Sequence, residues 1–255
     1  MEFTRAELKE QAKAQLQGKI LKLFLISLVA SLPAMILAGL EAPSTMSGGT
    51  PNPVVSLMSF VINVFITPPL SLGLVMVFLN VTYGDEPLVA TLFEPFKKNF
   101  GKAVILTLLV GLFVLLWSLL FIIPGIVMGY AYSQSFYILA ENPDMTPMEC
   151  IKASKAMMKG RKMDMFVLQL SFIPWILLVI VTCGIASIYV SPYMTLTLTN
   201  FYHRIKKGHD QAGDYSTSAT DAITDIIENA SEKVEDTVDK VADAAVDKIS
   251  GNDEQ

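Results

Sequence analysis

Residues 121–166, FIIPGIVMGYAYSQSFYILAENPDMTPMECIKASKAMMKGRKMDMF, decide the reading of the whole chain. An apolar run is cut by Pro124 and Gly125, resumes as far as Glu141, stops at Asn142-Pro143 and gives way to a lysine-bearing segment before the next apolar run. Proline ends or kinks a helix because it lacks an amide hydrogen and its ring meets the carbonyl four residues back. The stretch therefore predicts one arm of a membrane hairpin, followed by a cationic helix at the membrane surface and then the next span.

The rest of the chain repeats this grammar. Of its 255 residues, 52% are hydrophobic, and the mean hydropathy is +0.49. These residues come in blocks, the composition of a membrane protein. A bilayer core needs roughly 20 apolar residues per helix, and such material lies at 20–40, 54–81, 103–140 and 163–203. The last two blocks overshoot a single helix. Pro124-Gly125 splits one, and the segment from Gly184 to Pro192 splits the other. The expectation is an all-α membrane protein with six transmembrane helices, at 20–40, 54–81, 103–123, 125–141, 163–183 and 187–205, paired as three hairpins. TPPL at 67–70 should kink or break the second helix. A cleaved signal peptide is the rival reading of the first segment, but its apolar core exceeds the usual length of a signal core.

Cations fix the orientation. Arg5, Lys9, Lys13, Lys19 and Lys22 precede the first helix, Lys97, Lys98 and Lys102 the third, and Lys152, Lys155, Lys159, Arg161 and Lys162 the fifth; Arg204, Lys206 and Lys207 follow the sixth. With six crossings these clusters share one face. The opposite connections carry only Glu41, so the positive-inside rule places both termini in the cytoplasm and the protein in the plasma membrane. Cys150 and Cys183 then lie a bilayer apart and cannot form a disulfide.

Three segments, beginning near 4, 91 and 146, share start and stop signals. Each opens as a capping box, with Thr4 and Glu7, Thr91 and Glu94, or Thr146 and Glu149, and each closes at Gly18, Gly101 or Gly160 beside a cation. The domain 1–210 thus reads as three internal repeats, each a cytoplasmic interfacial amphipathic helix followed by a hairpin. In the third, Lys152, Lys155 and Lys159 occupy a narrow arc, while Cys150, Ile151, Met157 and Met158 lie on the other side. Such a helix rests in the headgroup layer, lysines toward phosphate and apolar face in the acyl boundary, and Arg161, Lys162, Lys97 and Lys98 extend the same interface. Small residues at Ala30, Ala34 and Ala38, and at Gly125, Gly129 and Ser133, allow close helix packing. Tyr189, Tyr193, Tyr83 and Tyr202 suit aromatic belts.

From 211 to 255 the composition changes. Twelve acidic residues stand against three lysines, a net charge of −9, while the remainder of the chain is basic. Ile223, Val234 and Ala245 recur every eleventh residue, as do Ile227, Val238 and Ile249. This tail is an amphipathic helix or a solvated disordered segment, and in the first case it can dock on the basic helices or on a partner protein.

Reactive groups are scarce. Catalysis or coupled transport usually leaves ionisable residues within the spans; here only Glu141, at a helix end, approaches that description, and Asn63, Asn80, Gln134, Gln169 and Asn200 read as amides that bond between helices. His203 and His209 do not complete a metal site. No zinc-protease, hydrolase or phosphate-loop motif is present, so no catalytic, cofactor or metal residue is assigned, and the basic clusters are explained by topology rather than nucleic acid.

The segment 121–162, followed by FVLQLSFIPWILL, GIASIYVSPY and FY, resembles a family of bacterial six-helix integral membrane proteins known as domain of unknown function 975. Asn142-Pro143 before the capped helix and the Ser-Phe-Ile-Pro-Trp of 171–175 carry the likeness, which covers about residues 1–205 and leaves the tail outside. The layout is more distantly similar to the membrane domain attached to some glycerophosphodiester phosphodiesterases, whose soluble catalytic domain is absent here. The resemblance implies fold and location and supplies no activity. The expected function is non-enzymatic: organisation of membrane lipids or partner proteins at the cytoplasmic face, as monomer or oligomer. A permease or transporter subunit for a small solute or lipid is the alternative, motivated by the proline-broken helices.

Overall fold

A computed structural model describes residues 4–46 and 53–209, and for 40–46 the backbone alone. The chain divides into two units, Met1–Lys206 and Lys207–Gln255. The acidic tail expected from 211 lies outside the described residues. Among those described there is no strand. The helices are α1 (Arg5–Leu16), α2 (Ile20–Met46), α3 (Pro53–Val61), a π-helical turn (Ile62–Ile66), α4 (Thr67–Tyr83), α5 (Val89–Lys98), α6 (Phe100–Leu120), α7 (Ile122–Tyr132), α8 (Ser135–Glu141), α9 (Pro147–Met157), α10 (Lys162–Leu170), α11 (Ile173–Val181) and α12 (187–209).

Four stretches are long and apolar enough to cross a membrane: Ile20–Gly39, Pro53–Tyr83, Phe100–Leu120 and Lys162–Val181. Their outward side chains are Leu, Ile, Val and Phe, with Leu119 at 85% and Val181 at 80% exposure. Large contiguous apolar surfaces of this kind are rare on proteins bathed in water, and they suggest a membrane protein.

The other two expected spans take different forms. Residues 125–141 are divided between α7 and α8 by a turn at Ser133-Gln134, and 187–205 is contained in α12. That last helix has the most polar sequence of the long ones, yet much of it is interior: Tyr193, Leu196, Thr197, Thr199, Phe201 and Tyr202 are all buried. In an apolar medium the usual pattern inverts, because polar groups are satisfied only inside the protein. Thr195, Thr197 and Thr199 accordingly donate to the carbonyls of Ser191, Tyr193 and Thr195 on the preceding turn. Phe172, Trp175 and Tyr193 make edge contacts at 5.5–5.8 Å beside α12. Tyr193 and Tyr202 are thereby interior residues rather than members of a belt.

The breaks fall near the expected prolines, shifted by up to a turn. The turn between α6 and α7 is at Phe121, whose backbone is extended at φ −158°, ψ 143°, and not at Pro124-Gly125. Pro124 instead sits in the first turn of α7, where amides have no intrahelical acceptor and a missing N–H has little consequence. Gly125 packs against α6, and a Cβ there would lie 2.1 Å from Ser118 Oγ. The kink foreseen at TPPL is the π-helical turn immediately before Pro68 and Pro69.

Two of the three capping boxes form. Glu7 N donates to Thr4 Oγ1 and Glu149 N to Thr146 Oγ1, with each glutamate accepting from the amide of its threonine. The middle one does not, because α5 starts three residues earlier, at Val89, with Leu88 rather than Thr91 as its cap. Thr91 is consequently buried in the first turn of α5 and Glu94 is exposed. What governs this start is the packing of α5 on α4: Gly73 lies so close that a Cβ would meet the Leu92 carbonyl oxygen at 2.1 Å.

The apolar face expected to lie in the acyl boundary is covered by protein in two of the three segments. Leu8, Ala12 and Leu16 of α1 are in the core with Leu168, Phe172 and Phe201. Cys150 and Ile151 of α9 are packed with Leu139 and Tyr202, and Met158 just beyond α9 belongs to the first core. Ser154 anchors α9, accepting from Gln134 N at 3.1 Å and donating to the Ala131 carbonyl at 2.8 Å. On α5 Val89 and Phe93 are uncovered, with Phe100 just beyond it, and on α9 Met148 is exposed.

Candidate functional site: a polar junction of helix ends

Glu141 closes α8. Asn142 stops the helix, its amide and side-chain nitrogens both donating to the Ile138 carbonyl, at 2.8 and 3.1 Å, and Pro143 prevents continuation. The stop aims the Glu141 carboxylate at two other helix ends. It accepts from Tyr83 Oη at the end of α4, and from Tyr202 Oη and Lys206 Nζ, the last at 2.6 Å. Tyr202 and Lys206 are four residues apart on α12 and so share a face. The Glu141 side chain is 11% exposed. A charge so placed is stable only when paired and hydrogen-bonded, as this one is.

Aromatic groups wall the junction. Tyr137 stacks on Tyr202 at 5.0 Å, and His203 meets the edge of Tyr83 at 4.8 Å while its Nε2 lies 2.6 Å from Thr82 Oγ1. Beside them is a cavity of about 380 Å³ lined by Met76, Asn80, Tyr83, Glu141, Asn142 and Lys206.

Further ionic and polar links join the same set of helix ends. Lys22 pairs with Glu86 at 3.0 Å, and Lys19 donates to the Asp85 carbonyl at 2.9 Å, tying the start of α2 to the loop after α4. Lys102, at the start of α6, donates to the Pro143 carbonyl after α8. Arg204 of α12 pairs with Glu7 of α1 at 3.5 Å, and Asn200 donates to Gln15. Lys22 and Lys19 hold the Glu86 carboxyl below its ordinary value. Burial lowers the Lys9 ammonium, and repulsion from Arg5 and Lys13 adds to the effect; Lys9 lies 4.8 Å over the Phe172 ring. Hydrogen bonds from Thr146 keep the Glu149 carboxyl low.

The interface residues read from sequence do not converge on one site. Lys152 and Lys155 are exposed on α9 and Lys159 just beyond it, Lys97 and Lys98 are exposed at the end of α5, and Arg161 and Lys162 are half-buried at the start of α10. Arg161 reaches Asp164 at 3.4 Å. It also lines a second cleft, about 530 Å³, between the first turn of α1 and the start of α10. Neither the Glu141 junction nor this cleft follows from any local motif. The legible signs were an acid before Asn-Pro and a Tyr/Lys pair at helical spacing, but their meeting depends on residues 58 to 65 positions apart.

Among the polar residues read as interhelical amides, Gln169 accepts from Tyr130 Oη at 2.8 Å and links α10 to α7. Asn63 bonds within its own helix, to the Ser59 carbonyl. Gln134 Oε1 and Ser135 Oγ, at the α7–α8 turn, are buried without a partner.

The family model described as protein of unknown function (DUF975) matches residues 1–128 and 119–209. The chain belongs to this family. Its two matches take in every described helix, and both the Glu141 junction and the α1–α10 cleft lie within the family domain. No curated protein and no solved structure matches the chain.

Proposed function

We propose that this family member is a non-enzymatic membrane protein with six crossings and both termini in the cytoplasm, and that its cytoplasmic end organises lipids or partner proteins. The observation that carries the reading is the gathering of cationic helix ends around Glu141, Glu86 and Glu7, which supports an even number of crossings between the clusters. By the positive-inside rule that end is cytoplasmic. In this arrangement α7 and α8 form the fourth crossing and α12 the sixth. Exposed Phe93 and Phe100 beside Lys97 and Lys98 suit insertion of α5 among lipid headgroups, and the exposed lysines of α9 offer a charged surface to lipids or proteins. Charged side chains in the four long apolar helices occur only near their ends, at Lys22, Lys102, Lys162 and Asp164, which favours a structural over a catalytic role.

The test is photo-crosslinking in native membranes from probes replacing Phe93 and Lys155, with single-cysteine labelling at Lys98 and Ser187 to fix sidedness. Lipid adducts from position 93, protein adducts from position 155 and labelling of position 98 from the cytoplasmic side alone are expected. Labelling of position 98 from outside, or no adduct from either probe, overturns the reading.

A second reading, a permease subunit, is favoured by one observation: the π-helical turn before Pro68 and the break at Ser133-Gln134, the latter with two unpartnered buried polar atoms, supply the irregular backbone from which membrane pathways are built. Solute flux in reconstituted vesicles, reduced by Gln134→Leu, would establish it.

A further inference from the structure

The cleft between α1 and α10 sets two arginines beside an apolar wall. Arg5 and Arg161 stand among its lining residues with Asp164, and Met163, Val167 and Leu168 of α10 supply an apolar wall. Two guanidinium groups against one carboxylate leave a net charge of +1. Guanidinium presents a planar fork of donors that matches the oxygens of a phosphate better than a lysine ammonium does. Arg161 is already held by Asp164 at 3.4 Å, so part of its orientation is set before any ligand arrives.

Position adds a second argument. Arg161 immediately precedes the apolar stretch Lys162–Val181, so under the topology proposed above the cleft lies at the depth of lipid headgroups. From Met163 the apolar surface continues outward along the same stretch through Leu170, Ile173 and Leu177, all well exposed. Met163, Val167 and Leu170 follow helical spacing and form one stripe. A ligand with a phosphate at one end and a hydrocarbon chain at the other meets matching chemistry in both places.

We propose that this cleft binds one anionic phospholipid, with its phosphodiester between Arg5 and Arg161 and an acyl chain along Met163, Val167 and Leu170. The inference rests on the membrane-face reading and names a ligand for it. Aspartate 164 disfavours a second negative group close to Arg161, so a singly charged headgroup such as that of phosphatidylglycerol fits better than a multiply phosphorylated one.

The experiment uses the full chain, purified in a neutral detergent and titrated with phosphatidylglycerol, phosphatidylcholine and inorganic phosphate in separate arms, with bound ligand read by native mass spectrometry. Phosphatidylglycerol should bind at least about tenfold more tightly than phosphatidylcholine, and Arg5→Gln and Arg161→Gln should each weaken it by about tenfold, equivalent to ~1.4 kcal/mol. Val167→Trp, which fills the cleft without touching a charge, should do the same, while Lys207→Gln, at an exposed cation outside the cleft lining, should not. A thermal midpoint near that of the parent confirms folding of each variant; Arg5, exposed on the first turn of α1, serves if Arg161→Gln does not fold. Equal binding by all variants overturns the proposal, as does equal binding of the two lipids. Saturation by inorganic phosphate with no lipid preference would make it a free-phosphate site and overturn the lipid assignment. Loss of cleft binding with cytoplasmic labelling at position 98 retained sinks the cleft alone, whereas labelling from outside sinks the membrane-face reading beneath it.

Discussion

Glu141 accepts three hydrogen bonds from side chains on two other helices, and its removal takes an acceptor from Lys206, the buried Tyr202 and the exposed Tyr83. Glu141→Ala should destabilise the protein by about 2 kcal/mol, the scale of leaving polar groups unpaired in a partly exposed junction. Glu141→Gln, which keeps an acceptor and loses the charge, should cost less; thermal unfolding of both variants in detergent checks the order. Glycine makes a sharper contrast. Gly73→Ala must push α4 from the Leu92 carbonyl and should cost about 2 kcal/mol or more, whereas a Cβ on Gly129 meets nothing within 4 Å and Gly129→Ala should be nearly neutral. Only part of this was readable in advance. The small-residue row at Gly125 and Gly129 was visible by spacing, but which glycine is in contact depends on the partner helix, and Gly73 belongs to no such row. Glu141 was visible as a terminal acid, and its partners were hidden by distance along the chain.

Among elements, α9 carries the cap with the clearest titration. Thr146 holds the Glu149 carboxyl below its ordinary value. A carboxyl lowered on folding contributes its full stability above its ordinary pKa and loses it as the pH falls through the lowered folded value. Thr146→Ala should therefore lower the thermal midpoint at neutral pH, and the gap between variant and parent midpoints should narrow as the pH is lowered through the carboxylate range. Glu94→Gln, on α5, should change stability by less than about 0.5 kcal/mol because no cap depends on it. The contrast shows what a motif can foretell. All three Thr-x-x-Glu segments have the local chemistry of a box, but at Thr91 packing of α5 on α4 pulls the helix start back to Val89. Likewise proline located the break after α6 to within a turn, at Phe121 rather than Pro124, while the turn at Ser133-Gln134 lies inside a run that looked continuous and has no proline to mark it.

On the scale of the molecule, the strongest sequence signal, long apolar runs, gave the four outward helices, whose exposure suggests an apolar surrounding. That has a testable sign. Leu112, half-exposed near the middle of α6, should tolerate lysine if water surrounds it, but Leu112→Lys should disfavour insertion by about 3 kcal/mol if hydrocarbon does; the membrane-integrated fraction after cell fractionation reads the difference. Apolarity was a poor guide to the centre, since α12, which places Tyr193, Thr197, Thr199 and Tyr202 in the interior, is the helix whose threonines, tyrosines and asparagine lower its hydropathy. Its place in the chain has a consequence for biosynthesis. The ribosome delivers the four long apolar stretches before α12, which shares both cores with them, so the early part of the nascent chain must wait in the bilayer with its inner faces provisionally paired. Chains halted before residue 187 should accordingly be membrane-integrated yet open to proteolysis, and protease resistance should appear in one late step once α12 emerges.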